Sequence, residues 1–267
     1  MTACRNCGGQ TRLSHNATIM GKHPVDYVVC TCCQYLQVVD PHWLEQAYAE
    51  SINLSDTGLV SRNINLSRSV LISLFAVHGV GKIRNSRYLD YGGGYGLFVR
   101  LMRDIGLDFY WHDPFSENLF SRGFERSGGQ YDGFVAFEVL EHLEFPGRFF
   151  EEVFQQTDLL ICSTELYGDS PPPTAEWDYY ALSHGQHIGF FNSSTLRFIA
   201  SKYQLDHASD GRGFHIFSRD RLPQCLILLV KALRFMRIDR MISRAFTSKT
   251  LSDHAMMVEL ESQAKVK

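Results

Sequence analysis

The chain lacks a basic excess. Its 26 lysines and arginines stand against 29 acids, a formal net charge of −3 over 267 residues. A general nucleic-acid binder would carry the opposite balance, so no nucleic-acid partner is expected. It also lacks a secretory start, because Met1-Thr2-Ala3-Cys4-Arg5 runs directly into cysteines with no apolar stretch. The expected location is cytoplasmic, where thiols stay reduced and paired cysteines more often hold metal than form disulfides. No apolar run reads as long and clean enough to span a bilayer. Internal repeats and low-complexity tracts are missing apart from Pro171-Pro172-Pro173. What is present is a chain that is 45% apolar, enough for one large α/β domain and a small satellite.

Cysteine spacing signals the satellite, expected over 1–40. Five of the seven cysteines precede residue 34. Cys4-x-x-Cys7 and Cys30-x-x-Cys33 each bring two thiolates to one tight turn, and two such turns complete the tetrahedron of structural zinc. Gly8-Gly9 favours the first turn. Cys32 could replace Cys33 as the fourth ligand, and free thiols or a redox pair are the alternatives to zinc. The flanks Tyr27-Val28-Val29 and Tyr35 to Val39 are β-branched and aromatic, as strands prefer. The segment 41–82 reads as a helical linker or lid, with Gly79 and Gly81 ending it.

The main domain is expected over 83–220. Arg87 to Tyr91 reads as a strand, Gly92-Gly93-Gly94-Tyr95-Gly96 as a turn, and Leu97 to Ile105 as a helix. Strand, glycine turn and helix form the ligand-binding corner of an open α/β sheet. The next strand ends at Asp113, an acid suited to ribose hydroxyls, with an ordinary turn acid as the alternative. A dinucleotide fingerprint would need a third glycine where Leu97 stands. Tyr131 to Phe137 reads as a further buried strand, followed by Glu138-Val139-Leu140-Glu141-His142.

The pattern Asp90-x-Gly92-x-Gly94-x-Gly96, the second acid Asp113 and the E-V-L-E-H segment together resemble class I S-adenosylmethionine (SAM) dependent methyltransferases. The resemblance spans about Tyr88 to Arg219. It implies an α/β, Rossmann-like sheet of seven strands, with SAM held by Asp90, Gly92, Gly94, Gly96, Asp113, Phe137 and Glu138. The remaining elements follow in order: a helix over 149–154, a strand over 158–163, a helix capped at Asn192, and a closing hairpin with Gly211 and Gly213 in its turn. The expected third strand is hard to find between Asp113 and Tyr131.

A methyl acceptor needs positioning and a base. Trp177-Asp178-Tyr179-Tyr180 and His184-Gly185-Gln186-His187-Ile188-Gly189-Phe190-Phe191 supply candidates. With the cysteine module, this stretch resembles sugar C-methyltransferases of glycan pathways, which implies a sugar acceptor, free or lipid-linked. Tyr180 and His187 then stand as catalytic residues, and Gln186 where those enzymes carry Glu. A histidine satisfied by local hydrogen bonds is the alternative for His187. The E-x-x-E-H segment also resembles ubiquinone-pathway O-methyltransferases, which implies a divalent cation on Glu138, Glu141 and His142 and a small hydroxylated acceptor. A scaffold that kept the SAM fold without catalysis is the reading from another class. The final segment, 221–267, starts as a cationic amphipathic helix over Leu222 to Phe246, suited to a domain face, a second copy of the chain or an anionic membrane surface. Residues 247–267 read as loosely ordered.

Overall fold

A computed structural model of the chain describes residues 2–48 and 57–266. In chain order the strands and helices are β1 (Thr11–Ile19), β2 (His23–Cys30), β3 (Leu36–Val38), α1 (Leu44–Ala47), α2 (Leu59–Ile83), β4 (Arg87–Tyr91), α3 (Leu97–Ile105), β5 (Asp108–His112), β6 (Gly133–Phe137), α4 (Pro146–Gln156), β7 (Leu159–Ser163), β8 (Gly189–Phe190), α5 (Ser193–Tyr203), β9 (Asp206–Ser209), β10 (Phe214–Ser218), α6 (Leu226–Phe235), α7 (Asp239–Ser243) and α8 (Thr250–Val266). Two compact units contain them: Met1–Asn53 with Ala136–Leu222, and Leu54–Val135 with Pro223–Lys267. The division is discontinuous because β6 begins in the second unit and ends in the first. The sequence reading instead cuts the chain into consecutive segments.

The first unit carries a four-stranded sheet ordered β1-β2-β3-β8. β1 and β2 form an antiparallel hairpin whose turn places Met20 and Gly21 at positive φ, as the right-handed twist of a hairpin favours. The fourth strand comes from far along the chain, Leu36 pairing Phe190 and Gln37 pairing Gly189. Residues 1–40 therefore do not close their own sheet. Gly189 is required here, since a Cβ on it would overlap the Tyr35 hydroxyl. Ile19, Tyr27, Leu36, Trp43, Tyr180 and Phe190 form the core beneath this sheet. The rest of the unit holds β7, antiparallel to β10, which pairs antiparallel with β9. Asn192 caps α5 by accepting the Thr195 N–H at 2.9 Å, within a reciprocal capping box.

In the second unit β4 pairs in parallel with β5 and with β6, and α3 packs against β5. Among the described residues the larger sheet has six strands, not the seven expected. The seventh is reduced to a single bridge between Trp111 and Glu125. Its segment carries Pro114, Gly123, Gly128 and Gly129, and proline and glycine weaken strands.

The segment expected as linker or lid is interrupted, its residues 49–56 lying outside the described residues. α2 runs past the glycines expected to end it, though Gly79 breaks its backbone at φ 67. By length and composition α2 qualifies as a bilayer span, which the sequence reading did not find. Here it packs on α3, α6 and α7, with Ser67, Ser69 and Ser73 buried.

The C-terminal segment differs from expectation in two ways. The single amphipathic helix is two, broken where Arg237 takes φ 58. The stretch expected to be loose is α8, anchored by Arg103, whose Nε and Nη2 each donate to Asp253 at 2.8 Å in a buried bidentate pair.

Candidate functional site

Candidate residues gather in two places, one in each unit. In the second unit Asp90, the penultimate residue of β4, is 2% exposed. Its Oδ2 is buried without a hydrogen-bond partner among the described residues. Burial, and secondarily the charge of Asp113, push its pKa up to about 8. Beside it the chain turns through Gly92, Gly94 and Gly96, all at positive φ, and a Cβ on Gly93 would sit 2.9 Å from Asp90 Oδ2. The glycine turn thus packs closely against the Trp111 indole and the Asp90 side chain, with no room for a Cβ at Gly93. Asp113 closes the turn: Gly94 N–H donates to its Oδ2 at 2.9 Å, and Phe115 and Ser116 N–H donate to Oδ1 at 2.8 and 3.0 Å. These bonds fold Asp113 onto its own turn, and a carboxylate with three donors still has capacity for another. The Trp111 indole N–H pins the turn by donating to Gly94 O at 2.8 Å. Asp90, Gly92, Gly94, Gly96 and Asp113 therefore come together as the sequence suggests.

In the first unit Phe137 ends β6 and Glu138 follows at φ 53, a strained conformation for a residue with a Cβ. The strain is held by Ser163, whose hydroxyl accepts the Glu138 N–H at 2.9 Å and donates to Glu138 Oε1 at 2.5 Å. A short 3-10 turn over Leu140–His142 stands where a helix start was expected. It turns Glu141 fully inward, at 0% exposure. Burial, and secondarily Glu138, raise the Glu141 pKa to about 8.

The Tyr179 hydroxyl donates to Glu141 Oε1 at 2.5 Å, while Oε2 has no partner among the described residues. The Tyr179 carbonyl lies 2.6 Å from His187 Nδ1. A carbonyl only accepts, so Nδ1 carries the proton and Nε2 keeps a lone pair. Burial lowers the His187 pKa to about 4 and the His142 pKa to about 3, with His187 adding to the latter. Both rings are neutral at pH 7. They meet edge to face with centroids 4.8 Å apart, and His142 Nδ1 contacts the Tyr48 hydroxyl at 3.2 Å.

Tyr180, expected as catalytic, is not in this cluster. It is buried in the core under the four-stranded sheet, its hydroxyl donating to Pro172 O at 2.9 Å. Its neighbour Tyr179 takes the place beside Glu141. The two share one 3-10 turn, so adjacent side chains leave in different directions, and spacing alone does not choose between them. Glu138 does not join the expected cation set either. Glu141, His142 and His187 are the residues whose ligand atoms lie within 4.8 Å of one another. Gln186 donates through Nε2 to Ala47 O at 2.8 Å, a bond a carboxylate cannot make.

The four cysteines converge as expected, with Cys4, Cys7, Cys30 and Cys33 Sγ atoms within 4.8 Å of one another. Cys32 is exposed and outside the group, which answers the choice between it and Cys33. The sulfurs are turned inward by donors. Gly9 N–H points to Cys7 Sγ at 3.4 Å, and the Cys32 and Cys33 N–H groups to Cys30 Sγ, each at 3.4 Å. N–H groups directed at the sulfurs in this way suit a metal knuckle.

Residues 68–209, more than half of the chain, match a family described as a methyltransferase domain. No curated protein matches the chain. Similar solved structures include magnesium protoporphyrin IX methyltransferase from Synechocystis PCC 6803 with bound S-adenosylhomocysteine, at 14% identity over 66% of this chain and 92% of that one, TM-score 0.45. A possible histamine N-methyltransferase from Thermotoga maritima is 13% identical over 61% and 92%, TM-score 0.43. An O-methyltransferase family 2 protein from Planctomyces limnophilus in complex with apigenin is 12% identical over 65% of each chain, TM-score 0.40. Likeness this distant carries no information on substrate.

Proposed function

We propose an acceptor and a set of residue roles on one premise: the chain belongs to the methyltransferase-domain family and is a SAM-dependent methyltransferase. The acceptor is a sugar or glycan-biosynthesis intermediate, free or lipid-linked, and His187 takes its proton. SAM supplies an electrophilic methyl group on a sulfonium.

Asp90 and the Gly92, Gly94 and Gly96 backbone would hold the amino-acid end of SAM, and Asp113 the ribose. The fit rests on the orphaned Oδ2 of Asp90: burial makes its ionisation costly, and an ammonium group would offset that cost by pairing with the ionised form. Phe137 and Glu138 are the further cofactor-side candidates. The observation that carries the acceptor side is the tie between His187 Nδ1 and the Tyr179 carbonyl. It fixes one tautomer and leaves Nε2 to take a proton. Glu141 and Tyr179 act as positioning residues, and His142 stands beside His187 as the second candidate. The Trp177 and Tyr179 rings meet with centroids 5.3 Å apart, and aromatic faces suit the C–H faces of a sugar ring. Structural zinc on Cys4, Cys7, Cys30 and Cys33 would brace the sheet that contains β8, which follows His187 by two residues.

A second reading has an observation of its own. Glu141, His142 and His187 could hold a divalent cation, which would fix and acidify the hydroxyl of a small acceptor. Incubation with radiolabelled SAM, a panel of nucleotide sugars and a panel of phenols, each with and without a mild chelator, tests both readings. Chelator-insensitive label on a sugar supports the first. Label only on phenols, lost on chelation and restored by a divalent cation, replaces it with the second.

A further inference from the structure

We infer that the α6–α7 face of the second unit is a docking surface for an anionic lipid bilayer. Helix α6 is apolar on two sides. Leu226, Ile227 and Val230 are buried, on the side that faces α2 within this unit. Leu228, Phe235 and Met236, at i, i+7 and i+8, lie along one line on the opposite side. They are 72%, 88% and 57% exposed, and Leu229 broadens the stripe at 39%. Beyond the break at Arg237, Met241 of α7 adds 65% exposure. A solvent-facing apolar stripe of this size is unfavourable in water and marks a contact surface.

The charge around the stripe identifies the occupant. Between Leu222 and Phe246 there are five cations, Lys231, Arg234, Arg237, Arg240 and Arg244, against one acid, in a chain whose net charge is −3. The acid, Asp239, is buried and paired with Arg68 at 3.7 Å and with Arg237 at 3.8 Å, so within this segment it offsets one cation at most. Lys231, Arg237, Arg240 and Arg244 are all exposed. Apolar side chains inserted among acyl chains, with long cationic side chains reaching the phosphates beside them, are how an interfacial helix binds. A second copy of this chain offers no such match, since the same basic face would meet itself in a two-fold dimer.

The test is flotation of the full chain with vesicles of phosphatidylcholine alone and with added phosphatidylglycerol, at low and high salt. The expected result is flotation with the anionic vesicles only, reduced by salt. A Leu228→Ser/Phe235→Ser variant, altered only at exposed positions, should lose at least about ten-fold in vesicle affinity, and Arg240→Glu/Arg244→Glu should lose a similar amount. Both should keep the wild-type melting temperature and SAM affinity. The inference is overturned if the wild type stays with the soluble fraction at every composition. It is also overturned if light scattering shows a dimer that Leu228→Ser/Phe235→Ser dissociates, which would give the stripe to a second copy.

Discussion

Asp90 in the second unit and Glu141 in the first are carboxylates of nearly equal burial, 2% and 0% exposed, each held near a pKa of about 8 by desolvation. Their surroundings differ. Asp90 borders a turn made of glycine backbone, which lets the main chain approach it more closely than a side chain at Gly93 would allow. Glu141 sits among side chains, accepting from Tyr179 beside two neutral histidines. On the proposed roles the same desolvation would serve two purposes. In the glycine turn it holds the Asp90 proton to about pH 8, and a cationic ligand would favour the ionised form. In the aromatic cluster it would set Glu141 as a positioning group for His187.

The predictions try to separate these purposes. The largest effect is expected on the aromatic side: His187→Gln should lower kcat by about 10²–10⁴-fold, the usual worth of a positioned base, while SAM affinity in a calorimetric titration stays within about two-fold. A smaller difference should separate the adjacent tyrosines. Tyr179→Phe should lower kcat by about ten-fold, since it frees a buried Glu141 oxygen. Tyr180→Phe should leave kcat near wild type and cost about 1 kcal/mol of stability in urea unfolding, from the lost bond to Pro172. If Tyr180→Phe proves the more damaging to turnover, the assignment of roles is reversed.

The smallest effect concerns pH. An unfolded aspartate releases its proton near pH 4, whereas folded Asp90 keeps it to about 8. The unfolded state then binds fewer protons over that interval, so this group's contribution is full below about pH 4 and is lost as the pH rises to about 8. Glu141 acts in the same direction over nearly the same window. Asp90→Asn should therefore flatten part of the decline and stabilise the ligand-free protein by about 1–3 kcal/mol near pH 8, measured as urea midpoints across the pH range.

The two places also differ in how far the sequence discloses them. Asp90, the glycines to Gly96 and Asp113 lie within one strand-turn-helix-strand run, so spacing along the chain is nearly spacing in space. The other cluster draws on Tyr48, residues 138–142, Ser163 and residues 179–187. Tertiary packing alone decides that His187 joins Glu141 and that Tyr179, rather than Tyr180, faces them. From sequence Gln186 stands where the similar enzymes carry Glu, and its bond to Ala47 O makes it a structural tie. The seventh strand and the loose tail fail for related reasons. A glycine-rich segment shrinks to one bridge at Glu125, and a polar-looking tail becomes ordered through Asp253, whose partner Arg103 lies 150 residues away in sequence.

The most direct test of the division between the two carboxylates is calorimetric titration of SAM into the wild type, Asp90→Asn and Glu141→Gln. The expected result is a loss of about 10²-fold or more in affinity for Asp90→Asn, the cost of leaving an ammonium without its buried partner, and affinity within about two-fold of wild type for Glu141→Gln. Equal losses in both variants, or wild-type binding by Asp90→Asn, would contradict it.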